Sequence, residues 1–189
     1  YRAKRRDAQR KSHGIATVAS TNSVFNKLIS RCASDVYTLL ARTPHGLYPH
    51  AGIPWYSTVF GRDGIITALF MLWVDPTIAQ GVLLHLAATQ ATRVDPLSDA
   101  EPGKIVHEQR RCEMANTGEV PFGSYYGTVD ATPLFVVLAG EYWRRTGDRA
   151  TIRQIWPNVQ AALGWCEYHG DRDGDLRDLP LQSFPYLLD

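Results

Sequence analysis

The stretch that decides the fold is residues 132–148, which read TPLFVVLAGEYWRRTGD. A proline at its start suits the first turn of a helix, where no backbone hydrogen bond is lost. At its end, Gly147 is a typical helix terminator, and the side chain of Asp148 is a typical cap for a following helix. The stretch therefore predicts a helix over 132–146 and another over 149–169, joined by a tight turn.

The sequence before this stretch continues the helical pattern. Three further helices are predicted, over 22–41, 62–73 and 76–92. Apolar residues at i, i+3, i+4 and i+7 mark the first of them, and Asp75-Pro76 provides a cap and an initiating proline for the last. Pro157 is expected to kink or split the final helix. No strand pattern is convincing, so we expect an all-α fold built from antiparallel helix hairpins.

Composition and charge narrow the functional classes. The 189 residues predict one domain, and 20 basic against 19 acidic side chains give no overall polyanion-binding signature. No apolar run reaches the length of a membrane span. The three cysteines fit neither a metal knuckle nor a disulfide framework. We therefore expect no membrane partner and a reducing compartment, the cytoplasm.

The first residues form a separate basic segment. Residues 1–11 contain six Lys and Arg against one Asp. Such a run is also typical of nucleic-acid binding, but no stacking aromatic residues alternate with the basic ones. We interpret residues 1–14 as a basic linker or tail, expect no nucleic-acid partner, and assign residues 15–189 to the folded domain.

A loop rich in glycine, proline and aromatic residues contains the first candidate site. Residues 48–64 read YPHAGIPWYSTVFGRDG. An exposed Trp55 suits stacking on a sugar ring, and Arg62 and Asp63 suit hydrogen bonds to vicinal hydroxyls. The alternative is that Trp55 and Phe60 belong to the core, while Asp63 is an acid at a helix start with Arg62 as its surface partner.

The second candidate lies in a long stretch, 93–129, without sustained periodicity, and loops of this length are usually functional. Within it, residues 101–114 read EPGKIVHEQRRCEM. A His-Glu-x-x-His zinc motif is incomplete because its last position is arginine, so no metal is predicted. Glu108 and Arg110 suit a polar clamp on a ligand. The alternative is a loop held together by salt bridges.

The third candidate is Asp130, in the segment 118–133, GEVPFGSYYGTVDATP. An acid before a proline-initiated helix is ordinarily a cap. Yet a carboxyl near Tyr125 and Tyr126 would be desolvated, which raises its pKa and suits a proton donor at neutral pH.

Together these segments resemble a known family. The blocks that carry the resemblance, in order, are 51–64, 99–114, 118–132 and 142–156. They resemble bacterial proteins of the glycogen debranching enzyme, or amylo-α-1,6-glucosidase, family over about residues 15–175. The resemblance implies an (α/α)6 toroid, similar to glucoamylase and mannosylglycerate hydrolase, with the active site at the ends of the inner helices. Residues 15–189 would then be the N-terminal half of a six-hairpin toroid, a partial (α/α)6 toroid.

The resemblance also implies residue roles. Arg62 and Asp63 would hold the −1 sugar, Asp130 would be the general acid, and Glu108 would support them in the same cleft. The remaining expected substrate-binding residues are Trp55, Arg110, Tyr125 and Tyr126. An inverting glycosidase needs a second carboxylate to activate water, and the resemblance puts that glutamate beyond residue 189.

The sequence therefore predicts a glycoside hydrolase of the debranching α-glucosidase type, inverting and without a cofactor, that acts on an oligosaccharide or branched α-glucan. Because the general base is expected elsewhere, we expect little or no turnover from this chain alone. The alternative is a non-catalytic carbohydrate-binding or assembly module. Such a module would self-associate or dock with a C-terminal half, since the predicted helix over 62–73 has no polar face.

Overall fold

The computed structural model describes residue 16 and residues 18–170, and this part of the chain is mostly helical. The predicted tail 1–14 and the segment 171–189 lie outside the described residues. In chain order the elements are α1 (Ser23–Leu39), β1 (Leu40–Thr43), β2 (Gly46–Pro49), β3 (Val59–Phe60), α2 (Gly61–Met71), α3 (Pro76–Ala88), β4 (Glu108–Gln109), α4 (Glu113–Asn116), α5 (Ala131–Thr146) and α6 (Arg149–Trp165). A 3₁₀ turn spans Pro121–Gly123, and a π-helical turn spans Cys166–Gly170.

Three of the predicted helices begin directly after a residue whose side chain caps them. The side chains of Asn22, Asp75 and Asp148 each accept hydrogen bonds from first-turn backbone N–H groups, of α1, α3 and α6 respectively. Gly147 ends α5 with φ +65°, a conformation that glycine adopts without strain. Pro157 lies inside α6, which remains one helix, so the expected split does not occur. Local capping chemistry thus sets the helix bounds.

The structure also contains strands, and here the all-α expectation is wrong in detail. β1 and β2 form an antiparallel hairpin, with Thr43 opposite Gly46. β3 and β4 form a second antiparallel pair. These strands contain two to four residues each, too few for the alternation of apolar and polar residues to be recognised in the sequence.

The core lies among α2, α3, α5 and α6, with the β1–β2 hairpin packed against α3. The largest fully buried side chains include Tyr48, Ile65, Ile78, Leu83, Leu86, Ile105, Phe135, Leu138 and Ile155. The hairpin approaches α3 at Gly81, where an added Cβ would lie 2.1 Å from the backbone oxygen of Leu47. This close approach fixes the hairpin, and with it the start of the loop that follows.

The first helix, α1, packs differently from the others. None of its residues is buried by the described part of the chain, although its apolar stripe was clear in the sequence. Val24, Phe25 and Leu28 are exposed. One anchor is the hydroxyl of Tyr37, which donates to the carboxylate of Asp75 at 2.8 Å. Amphipathic patterning therefore predicted the helix but not its burial. Within the described residues, no helix combines the length and apolarity needed to cross a membrane.

Asp148 joins α5 to α6 and provides a test of the fold. Its carboxylate accepts from the backbone N–H groups of Ala150 and Thr151, from the Thr151 hydroxyl at 2.6 Å and from the Tyr142 hydroxyl at 2.8 Å. We expect Asp148→Ala to lower the free energy of unfolding by about 1–2 kcal/mol, because it removes a cap and leaves hydroxyl donors unpaired. Urea denaturation at neutral pH measures this change.

The matched control is Asp35→Ala on α1. Within the described residues, Asp35 pairs with the exposed Arg31 of α1, so its loss should cost less than about 0.5 kcal/mol. Equal destabilisation by the two substitutions would contradict the structural role of Asp148.

Candidate functional site

The two loops predicted to bind ligand meet at the start of α2. Val59 pairs with Gln109 and Phe60 with Glu108 in the β3–β4 ladder. Directly after it, the backbone N–H of Gly61 donates to the carbonyl of His107 at 2.9 Å. Segments some fifty residues apart in the sequence therefore form one structure at the N-terminal end of α2.

The start of α5 lies beside the start of α2. A Cβ added to Gly61 would be 3.6 Å from the Cβ of Ala131, and 2.0 Å from the backbone oxygen of Val106. Only glycine permits this approach. It brings Arg62 and Asp130 together, with Nη1 of the arginine 3.2 Å from Oδ2 of the carboxylate. The structure thus pairs two of the predicted site residues from different loops.

Asp130 occupies the N-cap position of α5 but makes no capping hydrogen bond with its side chain. Instead, its carboxylate accepts hydrogen bonds from the Thr128 hydroxyl and from Arg62. The interpretation of Asp130 as an ordinary cap is therefore not supported. Its side chain is turned toward the start of α2.

The expectation that Asp130 is held protonated is wrong for this structure. Burial raises the pKa of the carboxyl and is the largest single influence. Hydrogen bonds from Thr128 and Arg62, together with the Arg62 charge, outweigh it, and the pKa is lowered. Hydrogen bonding to the charged form and a nearby opposite charge both favour ionisation. Asp130 is consequently a carboxylate at neutral pH.

The tyrosines expected beside Asp130 have other partners. Tyr126 is buried, and its hydroxyl donates to the Thr89 carbonyl at 2.8 Å. Tyr125 packs edge-on against His107 and Phe122, and its backbone pairs with that of Glu108. The contacts of these two tyrosines therefore hold the long loop in place.

Glu108 and Arg110 bind each other. Glu108 is 4% exposed, and Arg110 donates to both of its oxygens, at 2.5 Å from Nε and 3.2 Å from Nη2. The Arg110 guanidinium also stacks on the rings of Tyr56 and Phe122, at 4.1 and 4.3 Å. This matches the alternative of a loop held by salt bridges. The bidentate ion pair and the two stacking contacts hold the Arg110 guanidinium in one orientation.

Arg110 lines a cavity of about 530 Å³. This volume is within the range of small-molecule sites. Its lining residues are Arg42, Thr43, Pro44, His50, Trp55, Tyr56, Ser57, Thr58, Val59, His85, Gln109, Arg110, Arg111 and Cys112. Trp55 is 83% exposed, so the alternative that it belongs to the core is wrong.

The predicted site residues therefore fall into two groups. Trp55 and Arg110 line the cavity, whereas Arg62 and Asp130 form the ion pair at the helix ends. The predicted residues outside the cavity lining are Arg62, Asp63, Glu108, Tyr125, Tyr126 and Asp130. Asp63 is in the first turn of α2, as an acid favoured by the helix dipole would be.

Sequence reasoning missed His85 of α3. This residue is 2% exposed and lines the cavity, and neither of its ring nitrogens has a hydrogen-bond partner in the described part of the chain. Burial is the largest influence and lowers its pKa to about 4. The interaction with the Gln109 side chain is the next largest and acts in the opposite direction, and the charges of His45, Arg111 and His50 lower the pKa further. The only signal in the sequence was one histidine in the apolar run VLLHLAA.

Comparison with known proteins assigns no family to the chain. No protein family model matches the chain, and a search of curated proteins finds no significant relative. Among the described residues, no group of three or more His, Cys, Asp or Glu side chains is arranged to hold a metal ion.

The Arg62–Asp130 pair yields a measurable pKa change. In Arg62→Gln, the Asp130 carboxyl loses its cationic partner, so we expect its pKa to rise. Titration of the Asp130 side-chain carbon by NMR measures this. In the wild type the folded-state pKa lies below the ordinary value of 3.8. The ionised carboxylate, held by Thr128 and Arg62, therefore stabilises the fold at neutral pH, and this contribution is lost as the pH falls through the folded-state pKa.

Arg153→Gln is the control, because Arg153 is an exposed residue of α6. It should leave the pKa of Asp130 unchanged. An unchanged pKa in Arg62→Gln as well would show that the pair does not form in solution.

Proposed function

We propose that the chain is the N-terminal part of a toroidal glycoside hydrolase of the debranching α-glucosidase type, which acts on an oligosaccharide or branched α-glucan without a cofactor. The observation that carries this proposal is the convergence of two loops at the starts of α2 and α5. That convergence pairs Arg62 with Asp130, and the same loops contribute Trp55, Tyr56 and Arg110 to an aromatic cavity. The resemblance of the blocks in residues 51–156 to the debranching family supports the same conclusion.

The cavity suits a sugar ring for chemical reasons. Trp55 and Tyr56 offer flat apolar surfaces at its edge, and pyranose rings have apolar faces that stack on such surfaces. The hydroxyls of Ser57 and Thr58 and the amide of Gln109 add hydrogen-bonding groups to the lining. A few polar groups among aromatic walls are typical of a site that orients a small ligand.

Arg62 links substrate binding to the protonation of Asp130. A sugar hydroxyl that accepts a hydrogen bond from Arg62 would draw the guanidinium away from the carboxylate. The sugar would also cover Asp130, and burial already raises the pKa of this group. Both changes favour the protonated acid, so Asp130 would gain a donatable proton only when substrate is present.

The proposed reaction is inverting. The Asp130 proton passes to the glycosidic oxygen as the bond to the anomeric carbon breaks, and a second carboxylate takes a proton from the attacking water. Glu108 does not suit the base, because it is buried and held by Arg110. The family resemblance puts the base downstream of the residues in this chain.

Sugar binding without turnover is the first test. Panose, a glucose trisaccharide with an α-1,6 bond, should bind to the wild-type chain in calorimetry, and glucose release should be negligible. Trp55→Ala should weaken binding about three- to tenfold, because it removes a stacking surface. Robust glucose release that is lost in Asp130→Asn would contradict the assignment of the base to another part of the protein.

Trp156→Ala is the matched control, since Trp156 is an exposed tryptophan of α6 outside the cavity lining. Its affinity for panose should equal that of the wild type. Absence of binding to the wild-type chain, or equal losses in the two variants, would overturn the saccharide site.

A second candidate function is a non-catalytic carbohydrate-binding or assembly module. The observation that favours it is exposed apolar surface on α2 and the turn after it: Ile66 and Phe70 are exposed on the helix, and Trp73 is exposed in the turn. Contiguous exposed apolar surface of this kind is typical of an interaction site. Self-association, or docking with the remaining helices of a toroid, would cover it.

Sedimentation velocity at several concentrations tests this second candidate. We expect association that increases with concentration and that Phe70→Ser weakens, since Phe70 is 73% exposed. Leu97→Ser changes an exposed apolar residue outside α2 and should have no effect. A strictly monomeric wild-type chain would count against the assembly function.

A further inference from the structure

The cavity is cationic. Its lining contains Arg42, Arg110 and Arg111 with two histidines, and no carboxylate. Glu108 neutralises Arg110. Arg42 and Arg111, in contrast, form no ion pair with any residue in the described part of the chain. The lining thus has two arginines without an ion-pair partner in the described structure.

His85 adds an independent sign of a ligand. Its ring is buried in the cavity wall, and neither ring nitrogen makes a hydrogen bond within the described part of the chain, whereas buried polar groups in folded proteins nearly always have a partner. The groups that surround it are His45 and Tyr48 of the hairpin region, His50, and Gln109 and Arg111 of the long loop. A ligand atom in the cavity would supply the missing partner.

The charge of Arg111 acts on both histidines that line the cavity. After burial, the charge of Arg111 is among the influences that lower the pKa of both His50 and His85. One arginine therefore affects two histidines on different elements. A concave site lined by one sign of charge concentrates ligands of the opposite sign, and arginine is well suited to planar or tetrahedral oxyanions.

We propose that this cavity binds the anionic group, a phosphate or a carboxylate, of a charged saccharide. Arg42 and Arg111 would pair with the anion, His85 would face it, and Trp55 and Tyr56 would hold the sugar ring. This inference rests on the proposed function, because it names the substrate class of the same site. It narrows the oligosaccharide of the proposed function to one that carries an anionic group, because two arginines without ion-pair partners have no evident use in binding a neutral glucan.

Anion binding should couple to proton uptake. An anion near His85 favours the imidazolium, so its pKa rises from about 4 in the free protein. Since the complex then holds more protons than the free chain, affinity should increase as the pH falls through the pKa of His85 in the complex. His50 would contribute in the same direction, because its pKa is also lowered in the free chain.

Calorimetry of the full chain with glucose, glucose 6-phosphate, glucuronate and inorganic phosphate tests the proposal. We expect one or both charged sugars to bind at least about tenfold more tightly than glucose, and inorganic phosphate to bind more weakly than glucose 6-phosphate. A preference between the two charged sugars distinguishes a phosphate from a carboxylate. Arg42→Gln and Arg111→Gln should each weaken binding of the preferred sugar about tenfold.

Arg153→Gln on α6 is the control for non-specific charge effects and should leave the affinity unchanged. Both test arginines are exposed, so their variants should fold. As a measurement on the wild type, the NMR titration of His85 should shift to higher pH when the charged sugar is bound.

Three outcomes would overturn the proposal. The first is equal affinity for glucose and the charged sugars, which leaves a neutral saccharide site intact if panose still binds. The second is inorganic phosphate binding as tightly as glucose 6-phosphate, which indicates a site for a free anion. The third is an Arg153→Gln effect as large as those of the cavity variants. Failure of panose to bind would instead overturn the proposed function on which this inference rests.

Discussion

The candidate site depends on one close backbone contact. Gly61 begins α2 so near to residues 106 and 107 that its N–H binds the His107 carbonyl and no side chain fits against Val106. This contact ties the long loop to the helix and aligns β3 with β4. It also brings Arg62 within reach of Asp130. A larger residue at this position would separate the two loops and remove the arrangement that the functional proposals require.

Much of the helical framework was predictable, because its signals are local. Asp75, Gly147 and Asp148 act on residues within one helical turn, so the starts of α3 and α6 and the end of α5 followed from the sequence. The other ends did not, since α3 ends at Ala88 and α6 at Trp165, short of the predicted 92 and 169. The short strands gave no such signal, since their pairing joins segments far apart. For Asp130, the neighbouring tyrosines suggested a raised pKa. The hydrogen bond from Thr128, together with the hydrogen bond and charge of Arg62, which lies 68 positions away, lowers the pKa instead.

The cavity was only partly predictable for the same reason. Trp55 was recognised by its residue type and its glycine-rich surroundings. His85 was not, because α3 is apolar around its whole circumference and the sequence does not show which side faces a hollow. The pairing of Arg110 with Glu108 was one of two open alternatives. Choosing between them required knowledge of the rings of Tyr56 and Phe122, which come from different loops.

That stacked arginine has a consequence for sequence change. Tyr56 and Phe122 lie against the same guanidinium, which is in turn fixed by Glu108. Replacement of any one member leaves a flat surface or a charge uncovered in the others. Substitutions at the four positions should therefore occur together in evolution. The exposed arginines around them can change independently, as the ligand changes.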